Sequence, residues 1–255
     1  MRLIDGATAI GGDLPSSWTT TVEVPAGAGS SHDSGVDRLS SIERVRDGMR
    51  VALRTSTGPT ITIGGDCGVE LAAIEHANIS GDVAVVWLDA HPDLNTPASS
   101  PSGAFHGMVL RTLLGDGPVQ LVPASPLLAS RVVLAGTRAL DDSESDFIDA
   151  SEITLLAPNE ITSENLVDAL LATAATSVYL HIDLDVLDPS EFTSLGYPEP
   201  FGLTLAQLLD LIAAARRALP LAGAGITEFA PSTASATSDE LPVILRVIGA
   251  LTKKL

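Results

Sequence analysis

Two apolar runs that stop in closely spaced carboxylates constrain this chain more than any other feature. Residues 83–88 are apolar and end in Asp89-Ala90-His91-Pro92-Asp93-Leu94-Asn95. Residues 177–182 run into Asp183-Leu184-Asp185, with Asp188-Pro189 close behind. Short apolar runs bounded by polar residues read as buried strands. In an extended chain, residues two apart face the same side. Asp89, His91 and Asp93 therefore converge at one strand end, and Asp183 and Asp185 at another. Carboxylates and an imidazole suit a divalent ion such as Mn²⁺, Zn²⁺ or Fe²⁺. Four Asp and one His exceed the needs of one ion, and that many carboxylates repel unless cations neutralise them. A two-metal site with bridging carboxylates is the economical reading. Asp residues also cap helices and turns, which is the competing role for either cluster taken alone.

The segments around these runs alternate between strand and helix patterns. Residues 5–35, rich in Gly, Ser, Thr and Pro, read as loops with a short strand at 20–24. Helical spacing covers 37–54, 69–77, 104–114, 142–150, 162–174, 204–218 and 238–255, and strand patterns cover 60–63, 131–136, 153–155 and 223–229. This order predicts a three-layer α/β/α fold with a mainly parallel sheet covered on both faces. Sites in such sheets lie outside the strand C-termini, where both acidic clusters fall. No repeat or long linker divides residues 1–255, so a single domain is expected.

Composition excludes some functions. Hydrophobic residues make up 45% of the 255, and with only two Trp, two Tyr and five Phe the core falls to Ala, Leu, Val and Ile. Fourteen basic against 32 acidic residues leave a net charge of −18, which argues against nucleic acid as a partner. The charge favours a cationic substrate by steering, though solubility alone also accounts for it. The one cysteine, Cys67, leaves no intrachain disulfide. No signal segment opens the chain and no apolar run approaches the ~18 residues of a membrane span. A cytoplasmic location without membrane contact is expected.

The order of motifs resembles the ureohydrolase family of arginase, agmatinase and formimidoylglutamase. The pieces are Gly64-Gly65-Asp66, Asp89-Ala90-His91-Pro92-Asp93, Ser102-Gly103-Ala104-Phe105-His106-Gly107-Met108, Asp183-Leu184-Asp185 with Asp188-Pro189, and Glu228 before Pro231. They span residues 60–232; residues 1–55 carry none. The resemblance implies a centre of two Mn²⁺ per subunit. Asp89 and Asp183 would bridge the ions, His91 and Asp185 would complete one, and Asp93 would serve the other. Two such ions make a nucleophile of water at neutral pH. His106 matches the proton-shuttling histidine, Asp93 a further proton carrier, and Glu228 the carboxylate that pairs with a guanidinium, whose planar fork suits bidentate contact. Asn95, Ser102 and Asp141 match contacts to the carboxylate and α-amino group of an amino acid. The implied reaction is hydrolysis of a linear guanidinium C–N bond in a small cationic substrate, L-arginine to L-ornithine and urea before all. Agmatinase, guanidinobutyrase or formimidoylglutamase-type activity and a catalytically impaired binding protein are the alternatives. A homo-oligomer, trimer or hexamer, is the family expectation.

Three positions depart from the arginase pattern. Cys67 stands where the family has a metal-ligating histidine. Its soft thiolate suits Zn²⁺, Fe²⁺ or Co²⁺ better than Mn²⁺. Ligation, a weak or empty metal position, redox sensitivity and a plain buried residue all remain open for it. Tyr197 falls where arginases carry a small hydroxyl residue beside the guanidinium. Ala104 replaces an asparagine.

Overall fold

A computed structural model describes residues 2–254. Six strands form one parallel sheet: β1 (Thr60–Ile63), β2 (Val83–Leu88), β3 (Val132–Ala135), β4 (Thr154–Leu156), β5 (Ser177–Asp183) and β6 (Leu221–Thr227). Their spatial order is β1-β6-β5-β2-β3-β4, and every pairing is parallel. Eight α-helices accompany them: α1 (Arg2–Asp13), α2 (Leu39–Leu53), α3 (Glu70–Ala77), α4 (Val109–Leu113), α5 (Asp142–Ala150), α6 (Ser163–Ala172), α7 (Leu205–Ala218) and α8 (Ala234–Thr252). This is the expected three-layer α/β/α fold. Among the described residues, no helix is long and apolar enough to cross a membrane.

Alternation along the central strands sorts side chains into two cores. Ala84, Val86 and Leu88 of β2 join Val178, Leu180 and Ile182 of β5 under α6, α7 and α8. Val83, Val85 and Trp87 join Tyr179 on the other face, with Leu71 and Ile74 of α3 and Leu110 of α4. Asp89 continues the Trp87 face, and His181 and Asp183 continue the Tyr179 face, because side chains alternate with period two.

From β2 the chain moves outward to β3 and β4; from β5 it moves the opposite way to β6. The β2–β5 pair is thus the topological switch point, where a crevice opens beyond the strand ends. The two acidic clusters meet there because Leu88 lies in register with Ile182.

Two expectations for the N-terminal region are overturned. Residues 2–13 form helix α1, not a loop, and residues 20–24 form no strand. Glycine content argued against a helix, but α1 draws its stability from packing. Ile10 is buried and the helix lies along α8. Gly6 is required at the crossing, since a Cβ there would fall 1.9 Å from the Phe229 carbonyl oxygen. The last helix also begins earlier than its pattern indicates, at Ala234, where the Thr233 side chain accepts a hydrogen bond from the Ala236 N–H.

Candidate metal centre

Three segments build the site from one side of the sheet. The turn after β1 presents Cys67. Asp66 shapes that turn, its side chain accepting from the Gly68 N–H at 2.8 Å. The end of β2 presents Asp89, His91 and Asp93, and the end of β5 presents Asp183 and Asp185.

Backbone contacts fix these carboxylates. Asp89 Oδ1 accepts from the His91 N–H at 2.7 Å, and Trp87 Nε1 donates to Asp89 Oδ2 at 3.1 Å. Asp183 Oδ1 accepts from the Asp185 N–H at 2.9 Å, and Asp185 Oδ1 from the Ala90 N–H at 3.0 Å. That last bond crosses from one strand end to the other. Thr227 Oγ1 and Cys67 Sγ both donate to Asp183 Oδ2 at 3.1 Å. His91 Nδ1 lies 3.0 Å from Asp185 Oδ2 and 3.6 Å from Asp89 Oδ1.

Three overlapping groups bring possible ligand atoms within 4.8 Å of one another: Asp89, His91 and Asp185; Cys67, Asp183 and Glu228; and Cys67, Asp89, Asp93 and His181. Asp89 and Cys67 each belong to two groups, and Asp183 to one.

Asp93 Oδ2 and Glu228 Oε2 are buried without hydrogen-bond partners. An orphaned buried carboxylate oxygen is costly, and a cation relieves it. The donor set therefore fits a pair of divalent ions. Protonation has the same cause. Burial first, then neighbouring carboxylates, push the Cys67 thiol and the carboxyls of Asp93 and Asp183 well above their ordinary ranges. Asp185 is pushed up to about 6 and Glu228 up to about 9, again by burial and then by adjacent acids. Burial opposes a charge on His91, but its hydrogen bonds to Asp185 and Asp89 push it up to about 12. Burial also opposes ionisation of Asp89, yet hydrogen bonds with His181 and His91 hold it below the usual carboxylate range.

Of the other residues singled out in the sequence, Glu228 joins a ligand group and Tyr197 meets His91, while Asn95, Asp141 and Ser102 make contacts outside the ligand groups. His106 sits in the 3₁₀ turn before α4, its ring stacked on Tyr197 with 5.2 Å between centroids. Burial holds the His106 imidazole below its ordinary value. Tyr197 also meets His91 edge-on at 6.5 Å. Glu228 follows β6, and a Cβ on Gly196 would come within 2.9 Å of its Oε2, so the Tyr197 loop passes directly over it. Asn95 Nδ2 donates to Asp141 Oδ2 at 2.8 Å, while Asn95 Oδ1 accepts from Ser99 at 2.8 Å and Ser143 at 3.1 Å. Ser102 is exposed, its hydroxyl accepting from the Ala104 N–H at 3.2 Å.

Several participants were not anticipated. Thr227 and His181 contact the central aspartates. Arg138 pins the loop after β5, donating to the carbonyls of Asp185 at 2.8 Å and Glu199 at 2.9 Å. Strand alternation was the signal for His181, which precedes Asp183 by two. Nothing local marks Thr227, whose place depends on β6 pairing with β5.

Comparison with known proteins gives a consistent family. A family model described as "Arginase family" matches residues 9–248, taking in the N-terminal segment that carries no recognisable motif. The arginase of Staphylococcus aureus (strain MRSA252) is 34% identical over 157 residues, covering 56% of this chain and 51% of the relative. The arginase of Bacillus subtilis (strain 168) is 33% identical over 154 residues, 56% of this chain and 52% of the relative. The chain thus spans about half the length of such curated relatives. Among solved structures, the Entamoeba histolytica arginase in complex with L-ornithine matches with a TM-score of 0.83 at 25% identity, over 92% of this chain and 84% of that one. The Bacillus cereus arginase matches with a TM-score of 0.77 at 28% identity, over 88% and 82%. With this match across the whole sheet and both acidic strand ends, the chain belongs to the arginase family.

Proposed function

We propose that this protein is a metal-dependent ureohydrolase that hydrolyses the C–N bond of a linear guanidinium, with L-arginine to L-ornithine and urea as the leading reaction. The observation that carries this reading is the convergence of five metal-ligand candidates from β2 and β5 beside a buried, unpartnered Glu228 carboxylate. Asp89 and Asp183 would hold both ions, His91 and Asp185 one of them, and Asp93 the other. The ions, when bound, supply a nucleophile from water at neutral pH. Mn²⁺ suits the oxygen and nitrogen donors of the His91–Asp185 position.

The remaining steps fall to the chain. Glu228 receives the guanidinium, whose charge replaces the proton that the free carboxyl holds at neutral pH. His106, kept neutral by burial, accepts a proton and passes it to the leaving amine; Asp93 serves as a further proton carrier. Asn95, Ser102 and Asp141 hold the amino-acid end of the substrate, and Tyr197 covers the guanidinium end. The negative net charge steers a cationic substrate inward. The L-ornithine complex of the Entamoeba arginase supports an amino-acid substrate. One observation favours a second reading: both ends of the Asn95 amide are engaged by Asp141, Ser99 and Ser143. That suits a guanidino compound without a complete α-amino-acid end, such as agmatine, which has no carboxylate, or guanidinobutyrate, which has no α-amino group. A cytoplasmic homo-oligomer, trimer or hexamer, accompanies the proposal.

The test is urea release from L-arginine, agmatine and guanidinobutyrate by protein stripped of metal and reloaded with Mn²⁺, Zn²⁺ or Co²⁺. Saturable, metal-dependent urea from L-arginine supports the leading reaction, and preference for agmatine or guanidinobutyrate moves it to the second. No urea from any pair defeats both.

A further inference from the structure

Two residues before Asp183 on the same face of β5, His181 is completely buried. Its Nε2 lies 3.4 Å from Asp89 Oδ2. A ring nitrogen of His181, the Cys67 sulfur and one carboxylate oxygen each from Asp89 and Asp93 all lie within 4.8 Å of one another. Nδ1 of the same ring faces Glu70 Oε1 at 3.3 Å. Tyr179 donates to Glu70 Oε2 at 2.6 Å, and Glu70 is itself fully buried. Trp87, in register with His181 on the adjacent strand, stacks on the ring at 3.7 Å. Room for the Glu70 carboxylate exists only because residue 225 is glycine; a Cβ there would lie 1.5 Å from Oε1. A histidine with one nitrogen toward a cluster of donors and the other toward a fixed carboxylate has the arrangement of a metal ligand.

The competing role is an imidazolium held between two buried carboxylates. That pairing brings Glu70 and Asp89 to 3.3 and 3.4 Å from the ring, but His181 Nδ1 and Glu70 Oε1 make no hydrogen bond. It leaves Asp93 Oδ2, buried and within the same ligand cluster, with no partner. A cation bounded by His181, Cys67, Asp89 and Asp93 satisfies all four at once.

We propose that His181 is a metal ligand and that, with Cys67, Asp89 and Asp93, it forms a position selective for a borderline ion of the Zn²⁺, Fe²⁺ or Co²⁺ class over Mn²⁺. The proposal rests on the two-metal reading given above. Its chemistry follows from the donors: a thiolate and an imidazole added to the carboxylates favour softer ions than an all-oxygen and imidazole set does. Glu70 is a positioning residue that sets the tautomer and orientation of the ring.

The experiment uses the full chain, stripped with a chelator and kept reduced. Co²⁺ titration is followed by absorption, and Zn²⁺ against Mn²⁺ competition by metal analysis. The wild type is expected to bind two ions, to develop an intense thiolate-to-cobalt band, and to give up Mn²⁺ to Zn²⁺ at one position. Cys67→Ser should abolish the band. His181→Gln and Glu70→Gln should weaken that one position by about 10–100-fold and leave the other unchanged. Two ions bound with no thiolate band, or with affinities unmoved by His181→Gln and Glu70→Gln in folded protein, overturns this inference while the two-metal reading stands. No stoichiometric ion of any kind overturns both. Should the variants fail to fold, X-ray absorption of the wild type with one equivalent of Zn²⁺ decides. One sulfur with one imidazole supports the assignment, and sulfur without imidazole, or no sulfur, overturns it.

Discussion

Tyr197 lies against His106, ring on ring at 5.2 Å and 25°, although the tyrosine itself is 56% exposed. An exposed side chain thereby keeps a histidine of the site away from water. Tyr197→Ser should let water reach the imidazole and move its lowered pKa back up toward the ordinary ~6.5. NMR titration of the five histidines, with His106 assigned by an His106→Asn variant, measures this. An unchanged His106 midpoint would mean that α4 and the 3₁₀ turn, not Tyr197, exclude the water.

Asn95 donates to Asp141 at 2.8 Å. Asp141→Ala should lower kcat/KM for L-arginine by about 10–100-fold, roughly 1.4–2.8 kcal/mol, and for agmatine by less than about threefold. The comparison works because both substrates share the guanidinium and the amine, and only arginine carries the carboxylate that fixes the chain's end. Equal losses for both would remove Asp141 from the discrimination between them.

The sheet and its two acidic strand ends were legible in the sequence because a parallel strand buried on both faces reads as an unbroken apolar run. Asp89, His91, Asp93, Asp183 and Asp185 could be named because each cluster directly follows an apolar run, although only Asp183 lies within a strand: β2 ends at Leu88, Asp185 sits in a 3₁₀ turn and Asp93 on left-handed backbone. What was missed depends on pairing between distant segments. Thr227 reaches Asp183 only because β6 lies beside β5, and Glu70 reaches His181 only because α3 packs over that face. Helix α1 was missed because glycine content is a local signal, whereas its stability comes from α8 and Phe229. His181 was legible in principle, two residues before Asp183, but a histidine inside an apolar run reads first as core.

Stability of the metal-free protein should fall as pH rises. Asp93, Asp183, Asp185 and Glu228 hold protons more tightly folded than unfolded. Their protonated forms contribute stability that is full below the unfolded values near ~4 and is lost as pH climbs through the folded ones, about 6 for Asp185 and about 9 for Glu228. His91 and His181 act with the same sign, losing their contribution through about 12 and about 10. Asp89 acts oppositely, but only in acid, as pH falls through its lowered value. Thermal unfolding between about pH 5 and pH 9 should therefore show Tm falling without metal, by about 2–4 °C per kcal/mol. Divalent metal should reverse the trend, since ligands bind deprotonated. A metal-free Tm that rises across this interval would contradict the assigned protonation.

Gly225→Ala places a methyl on the Glu70 carboxylate, 1.5 Å from Oε1 before any adjustment. Overpacking of this kind costs about 1–3 kcal/mol and sometimes more. The substitution should lower the denaturant midpoint without changing the slope. An unaltered midpoint would show that Glu70 has somewhere else to go.

Asp93 and Glu228 both stand on left-handed backbone, at φ 52 and φ 64. For residues with a Cβ this conformation costs of order 1–2 kcal/mol, and glycine would adopt it freely. On backbone strain alone, trading either acid for glycine would raise folding stability. Both acids stand among the candidate ligand groups, so Asp93→Gly or Glu228→Gly should add folding stability while removing a candidate metal ligand.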